Sequence, residues 1–313
     1  MSRQPTSPVT SSKSSHRERP GTSTRRRKRQ SRGNAWVPNQ HGAWAMLIMP
    51  MFVGVILGLL LSPAAPGTPE RFKVYALMAA IAVMWLFGYF AFYAFGLWHK
   101  TRSKQRKKEY RAPLVVYGAI TVIAGLSALA MNWQMLWWVP IFLPLVVWAF
   151  VEVIRRHPRS LSSGVSTTVA SSLMIPVMVS AAVQGPPGFF FYAPAQLIIA
   201  TLCVALYFVG TIPYVKTLIR EKGNPSYVKF SVIYHFIALI VVSIMCVPLL
   251  ILGVFWPSAL IFILTMAWCL YRAWRVPALA ANNPRAWTPK RVGMREIWPT
   301  LTLAVGCVAI AFF

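Results

Sequence analysis

Nine apolar stretches, each close to the length of a bilayer-crossing helix, leave this chain few ways to fold. They lie at approximately 43–62, 74–98, 113–131, 134–153, 165–184, 194–213, 230–249, 254–273 and 297–313. A hydrocarbon core about 30 Å thick needs roughly 20 apolar residues per helix. With 57% of its 313 residues hydrophobic and 12% charged, the chain falls among membrane proteins. Only helices and closed barrels satisfy their backbone groups in lipid. Barrel strands alternate apolar and polar residues, whereas IALIVVSIMCVPLLILGVF is a continuous apolar run but for Ser243. The expected fold is therefore all-α, a polytopic membrane bundle of about nine transmembrane helices.

Charge then orients the bundle. Thirty of the 32 Lys and Arg residues fall in the tail 1–42 and in the segments 99–112, 154–164, 214–229 and 272–296. Only Arg71 and Lys73 lie across the membrane from them. Positively charged loops stay in the cytoplasm, so the N-terminus is expected inside and the C-terminus outside. Two regions follow: residues 1–35, a disordered basic cytoplasmic tail, and residues 36–313, the transmembrane helical domain. The tail is rich in Ser, Thr, Lys and Arg without an apolar stripe, and its polar part is too long for a signal peptide. The run Arg25, Arg26, Arg27, Lys28, Arg29 stands close to the first span, where each cation gains roughly 1 kcal/mol from anionic lipid. The expected partners are thus membrane lipids, with anionic headgroups at the tail. Specific nucleic-acid binding is not expected, since no fold for base readout accompanies the run, and the sequence points to no protein partner.

Cys203, Cys246, Cys269 and Cys307 all sit inside apolar spans, without a C-x-x-C pair, and read as small packing residues. Trp98, Trp133, Trp137, Trp138 and Trp298 lie near the expected helix ends, as an interfacial belt does. Pro50, Pro140, Pro144 and Pro176 interrupt spans. The carbonyls they free need partners from neighbouring helices or water, which suits a bundle with an internal cavity; the alternative is that proline is simply commoner in membrane helices.

Candidate functional residues are few. The chain has no Asp, and of its six Glu residues Glu109, Glu152, Glu221 and Glu296 lie near the basic face. Ion pairing is the plain expectation for them. Glu152 precedes Arg155 and Arg156 by three and four residues, the helical spacing for a pair. The motif Pro38-Asn39-Gln40-His41-Gly42-Ala43-Trp44 opens the first span. Its Asn39 and Gln40 are placed to touch a ligand headgroup; alternatively Asn39 caps the helix and His41 and Trp44 sit at headgroup level. His235 lies within the seventh span, where an ionisable group is costly and often functional; the alternative is a neutral imidazole bonded to another helix. Tyr214, Lys216, Arg220 and Lys222 follow the sixth span, either to hold phosphate or diphosphate or simply to obey the charge rule. The candidate site therefore has His41, His235 and Glu152 as catalytic or proton-moving groups. Asn39, Gln40, Tyr214, Lys216 and Arg220 are its ligand contacts. No P-loop, HExxH or GxSxG occurs, so nucleotide, zinc-protease and hydrolase chemistry lack support. No metal site is expected, and the sequence names no cofactor.

The stretch PNQHGAWAMLIMP at 38–50, with the Glu152 segment, TIPYVKTLIREKGN at 211–224 and His235, resembles the YwiC-like family of bacterial membrane proteins. The resemblance runs from about residue 36 to 313. It implies a polytopic protein of the bacterial plasma membrane, without implying a reaction. A more distant architectural likeness is to UbiA-type prenyltransferases, in which Asp-rich motifs in two cytoplasmic loops hold Mg²⁺ and a prenyl diphosphate. Here the corresponding loops carry Glu109 and Glu221 and no Asp, so the layout carries over and the motif does not. Three readings remain open: a multispanning protein with a cytoplasm-facing polar and basic site, a lipid-substrate transferase, and a transporter of a small amphiphile.

Overall fold

The computed structural model describes residues 35–38, 41–156, 160–183, 194–282 and 287–312. Among these residues every regular element is helical. The order is α1 (His41–Leu61), α2 (Pro69–Lys100), α3 (Lys104–Met131), a 3-10 turn at Trp133–Trp138, and α4 (Val139–Ile154). Then come α5 (Leu161–Ser172), α6 (Met174–Ala182), α7 (Ala195–Ile219), α8 (Pro225–Ile251), α9 (Trp256–Asn282) and α10 (Pro289–Ala309). Counting α5 and α6 as one span, eight segments among the described residues are long and apolar enough to cross a bilayer. The ninth helix, α10, is more polar because its first two turns carry Lys290, Arg291, Arg295 and Glu296. The chain is an all-α multispanning bundle. The expected tail, residues 1–35, lies outside the described residues except for Ala35.

Several spans begin in the same way. Thr68, Asn224 and Thr288 each stand before a proline, Pro69, Pro225 or Pro289, and each side chain accepts the backbone N–H three residues on. A capping oxygen followed by a residue that has no N–H to satisfy is a strong helix start. Helices also overrun the apolar cores expected from hydropathy. The segments 99–112 and 272–296, expected as basic loops, are mostly helix: α2 runs to Lys100, α3 starts at Lys104, and α9 continues to Asn282. Lys and Arg are good helix formers, and their long stems let a helix carry charge out of an apolar layer. An apolar window finds the middle of a span rather than its end.

Burial sorts the helices. In the most apolar 18-residue stretch of the α5–α6 span 78% of residues are buried, against 17% in that of α3, so α5–α6 runs through the centre and α3 at the edge. The central span breaks at Leu173, three residues before Pro176, which offers no N–H to the carbonyl of Ser172. α1 lies against α6, and also packs on α5 and α10. Contact is close because Gly54 and Gly58 face α6: a Cβ on Gly54 would stand 2.7 Å from the Met174 carbonyl oxygen, and one on Gly58 2.9 Å from that of Met178. Small residues at this spacing let two membrane helices approach backbone to backbone. α2 and α3 form a hairpin at the periphery, and α7, α8, α9 and α10 pack on one another. Outward-facing side chains such as Ile123 and Leu126 of α3 and Ile244 of α8 are large, apolar and exposed, as a lipid-facing surface requires.

All four cysteines are buried free thiols, consistent with packing. One tryptophan departs from the expected belt. Trp138 is buried, and its indole N–H donates to Ser180 Oγ at 3.0 Å. The 3-10 turn before α4 swings it inward, while its neighbours Trp133 and Trp137 stay exposed.

Candidate functional site

The polar centre of the molecule is built by α7–α10. On α7 the buried face carries Tyr207, Thr211, Tyr214 and Leu218, spaced so that they share one side of a helix. Thr265, Cys269 and Arg272 repeat the spacing on α9, and Glu296, Thr300 and Leu303 continue it on α10. From α8 come Ser231 and His235, ten residues or about 15 Å beyond the start of that helix. The α9 and α10 sets would be ordinary packing stripes if they did not carry charge.

Arg272 and Glu296 form an ion pair, with Nη1 2.7 Å from Oε1, and both side chains are largely buried. The Tyr207 hydroxyl lies 3.3 Å from Glu296 Oε2 and 3.0 Å from Thr300 Oγ1. Thr300 in turn donates to the Glu296 carbonyl at 2.7 Å. The guanidinium is flanked by aromatic rings, 4.6 Å from the Tyr214 centroid and 6.0 Å from that of Tyr207, a cation–π arrangement. Tyr214 meets the His235 ring edge-on at 6.4 Å. His235 Nδ1 lies 2.7 Å from the Ser231 carbonyl. A carbonyl only accepts, so Nδ1 carries a proton, and in the neutral imidazole Nε2 keeps its lone pair. That Nε2 stands 3.0 Å from where a Cβ of Gly210 would be; glycine there lets α7 and α8 close on the imidazole.

Glu296 leaves much of Arg272 unsatisfied. Nε and Nη2 are buried without an oxygen or nitrogen partner among the described residues. The Cys269 thiol, a turn earlier, borders the guanidinium but is a poor acceptor. Nε and Nη2 together form one edge of the planar fork, which accepts two oxygens of a carboxylate or phosphate side by side. Ser231 Oγ and Thr265 Oγ1 are buried without a partner as well. They lie one turn from His235 and two turns from Arg272 along their helices. Buried polar groups are nearly always bonded, so this concentration of open donors is unusual for packing alone.

The expected site residues divide. Tyr214 and His235 are brought together in this cluster. Lys216 is in the last turn of α7 and half-exposed; two residues after Tyr214, it points to the other side of the helix. Arg220 is exposed at the end of α7, and Glu221 beyond it accepts from Asn224 Nδ2 at 3.0 Å. Glu152 is buried in the last turn of α4, a helix that packs mainly on α5, away from the cluster. Beyond it α4 ends at Ile154, and Arg156 adopts φ 63°. Asn39 and Gln40 lie outside the described residues, as does the side chain of His41, the first residue of α1. Nearby, Trp44 donates its indole N–H to the Pro38 carbonyl at 3.3 Å. No group of three or more His, Cys, Asp or Glu residues gathers as a metal site among the described residues.

Tyr207, Arg272, Glu296 and Thr300 were not legible as site residues. Arg272 and Glu296 bound a segment that reads as a basic loop; the ion pairing expected of Glu296 is realised with Arg272, but inside the bundle rather than at a solvated face. The available signal was the stripe Phe262, Met266, Cys269, Ala273 on α9, which continues through Arg272 rather than stopping before it.

The model of the family described as YwiC-like protein matches residues 37–179, a shorter stretch than the expected 36–313. It covers α1–α5 and ends within α6, so the polar cluster lies beyond it. Two curated relatives are similar over longer stretches. A Haemophilus influenzae protein called "Uncharacterized protein" is 25% identical over 209 residues, 66% of this chain and 76% of the relative. The Bacillus subtilis "Uncharacterized protein YwiC" is 26% identical over 204 residues, 64% of this chain and 74% of the relative. No solved structure matches the chain.

Proposed function

The chain being YwiC-like over residues 37–179 and multispanning, we propose that it is a bacterial plasma-membrane carrier that takes the anionic group of a small amphiphile at Arg272. The observation that carries this reading is the buried guanidinium with its Nε–Nη2 edge unpartnered. Ionisable groups inside a membrane bundle are costly and usually functional, and a fork of this kind selects two-oxygen anions. Glu296 and the two tyrosine rings hold the guanidinium in place. His235, with a lone pair on Nε2, is the group able to exchange a proton with a ligand. Lys216 and Arg220, at the end of α7, serve as an outer basic approach on the cytoplasmic side. The break in the central α5–α6 span favours movement over static packing, since interrupted helices recur in carriers. The charge asymmetry favours an N-terminus inside and a C-terminus outside; an inactive periplasmic reporter fused to the C-terminus would argue against that orientation.

A transferase of the UbiA kind is less supported. It calls for the loop carboxylates Glu109 and Glu221 to share one diphosphate. Glu109 stands on α3, which packs on α2, whereas Glu221 follows α7, which packs on α5, α8, α9 and α10.

Thermal unfolding in detergent tests the carrier reading directly. Octyl phosphate and octanoate are expected to stabilise the wild type, and octanol is not. A ligand at 100 times its Kd adds about 2.7 kcal/mol to the native state. R272Q abolishes the response, and R272K weakens it because an ammonium lacks the planar fork. Uptake of labelled octanoate into proteoliposomes separates movement from binding. Equal stabilisation by octanol, or an unchanged response in R272Q, refutes the site.

A further inference from the structure

On their outer face α8 and α9 leave an open groove of about 500 Å³. Val232, Phe236 and Leu239 of α8 and Ala267, Tyr271 and Trp274 of α9 line it, and nearly all of its surface is apolar. These positions recur every three or four residues and so form one stripe on each helix. The groove is separate from the polar cluster. Arg272 turns inward toward Tyr207 and Tyr214, while its neighbours Tyr271 and Trp274 are exposed.

One end of the groove is charged. α8 and α9 follow each other through a short turn after Ile251, so the Val232 end of one helix lies beside the Trp274 end of the other. Lys229 precedes Val232 by three residues, about 4.5 Å along the axis and on the same face. Arg275 follows Trp274, and its guanidinium lies 5.6 Å from that ring's centroid. Both cations are exposed, and neither forms an ion pair among the described residues. An oily slot within a bilayer-spanning helix pair, ending at two exposed cations, has the two-part chemistry of a lipid with a negative head. A zwitterionic lipid fills such a slot equally well but gains less from the cations.

We propose that this groove seats an anionic phospholipid, one acyl chain lying along it and the phosphate held by Lys229 and Arg275. The site does not depend on the carrier reading of Arg272. Native mass spectrometry of the full chain, released from nanodiscs of equimolar phosphatidylglycerol and phosphatidylcholine, tests it. The wild type is expected to retain phosphatidylglycerol preferentially. The double variant K229Q/R275Q lowers that preference about thirtyfold, corresponding to the roughly 1 kcal/mol that each interfacial cation contributes. Ala267→Trp fills the slot and reduces retention of both lipids. Equal retention of the two lipids by the wild type overturns the proposal, as does an undiminished preference in K229Q/R275Q. The same double variant keeps its stabilisation by octyl phosphate, so failure here is distinguishable from failure of the interior site.

Discussion

Replacing Glu296 by Leu removes the anion from a pair that sits inside the bundle. Arg272 is only 4% exposed, and two of its three nitrogens are already without an oxygen or nitrogen partner. Loss of the 2.7 Å contact to Glu296 Oε1 leaves the guanidinium with its flanking rings and a thiol. Breaking one side of a buried pair costs about 3–5 kcal/mol, whereas replacing both sides by apolar residues is often neutral or better. E296L alone is therefore expected to lose 3–5 kcal/mol by that rule. R272M loses less, because the carboxylate it strands is the more exposed partner and keeps the Tyr207 hydroxyl nearby. The double variant R272M/E296L should fall within about 1 kcal/mol of wild type. Reversible unfolding in mixed detergent micelles supplies all four corners of the cycle. A cost below about 1 kcal/mol for E296L, or a double variant that loses the sum of the singles, would mean that the pair is not coupled inside the bundle.

Two packing predictions use the same assay. Gly54→Ala places a methyl 2.7 Å from one backbone atom and 2.9 Å from another on α6, neither able to yield, and should cost about 1–3 kcal/mol. Gly118→Ala, on α3 with nothing within 4 Å, should instead gain about 0.5–1 kcal/mol. If the two variants shift unfolding alike, α1 does not lie against α6 as described. Arg71 caps the end of α1, donating to the Leu59 carbonyl at 2.7 Å and to that of Ala64 at 3.3 Å. Arg71→Met keeps the stem and removes the donors, so a loss of about 1.5–3 kcal/mol is expected; no loss would mean that water replaces them.

Positions of the membrane spans were legible because lipid imposes a composition on every residue that faces it. His235 was legible for the same reason: one ionisable group inside an apolar run has no local excuse. Arg272 escaped because Tyr271, Trp274 and Arg275 around it look like a helix end, while the helix continues to Asn282. Whether an arginine near such an end meets water, lipid or another helix is decided by neighbours distant in sequence, here Glu296 and Tyr214. Trp138 shows the same limit, since only the turn before α4 tells it apart from Trp137. Lys216 was grouped with Tyr214 by proximity along the chain, yet two residues of helix put them on opposite sides. The Gly54 and Gly58 spacing was readable in principle; its partner on α6 was not.

The close seat of α1 on α6 and α10 has a consequence for biogenesis. A ribosome delivers α1 first and α10 last among the described helices, so α1 enters the membrane before either surface that it packs on exists, and its glycine face before α6. Until then that face must be held by lipid or by the insertion machinery. The bundle therefore locks late, and a polypeptide interrupted before α10 emerges as a set of inserted helices still waiting for closure.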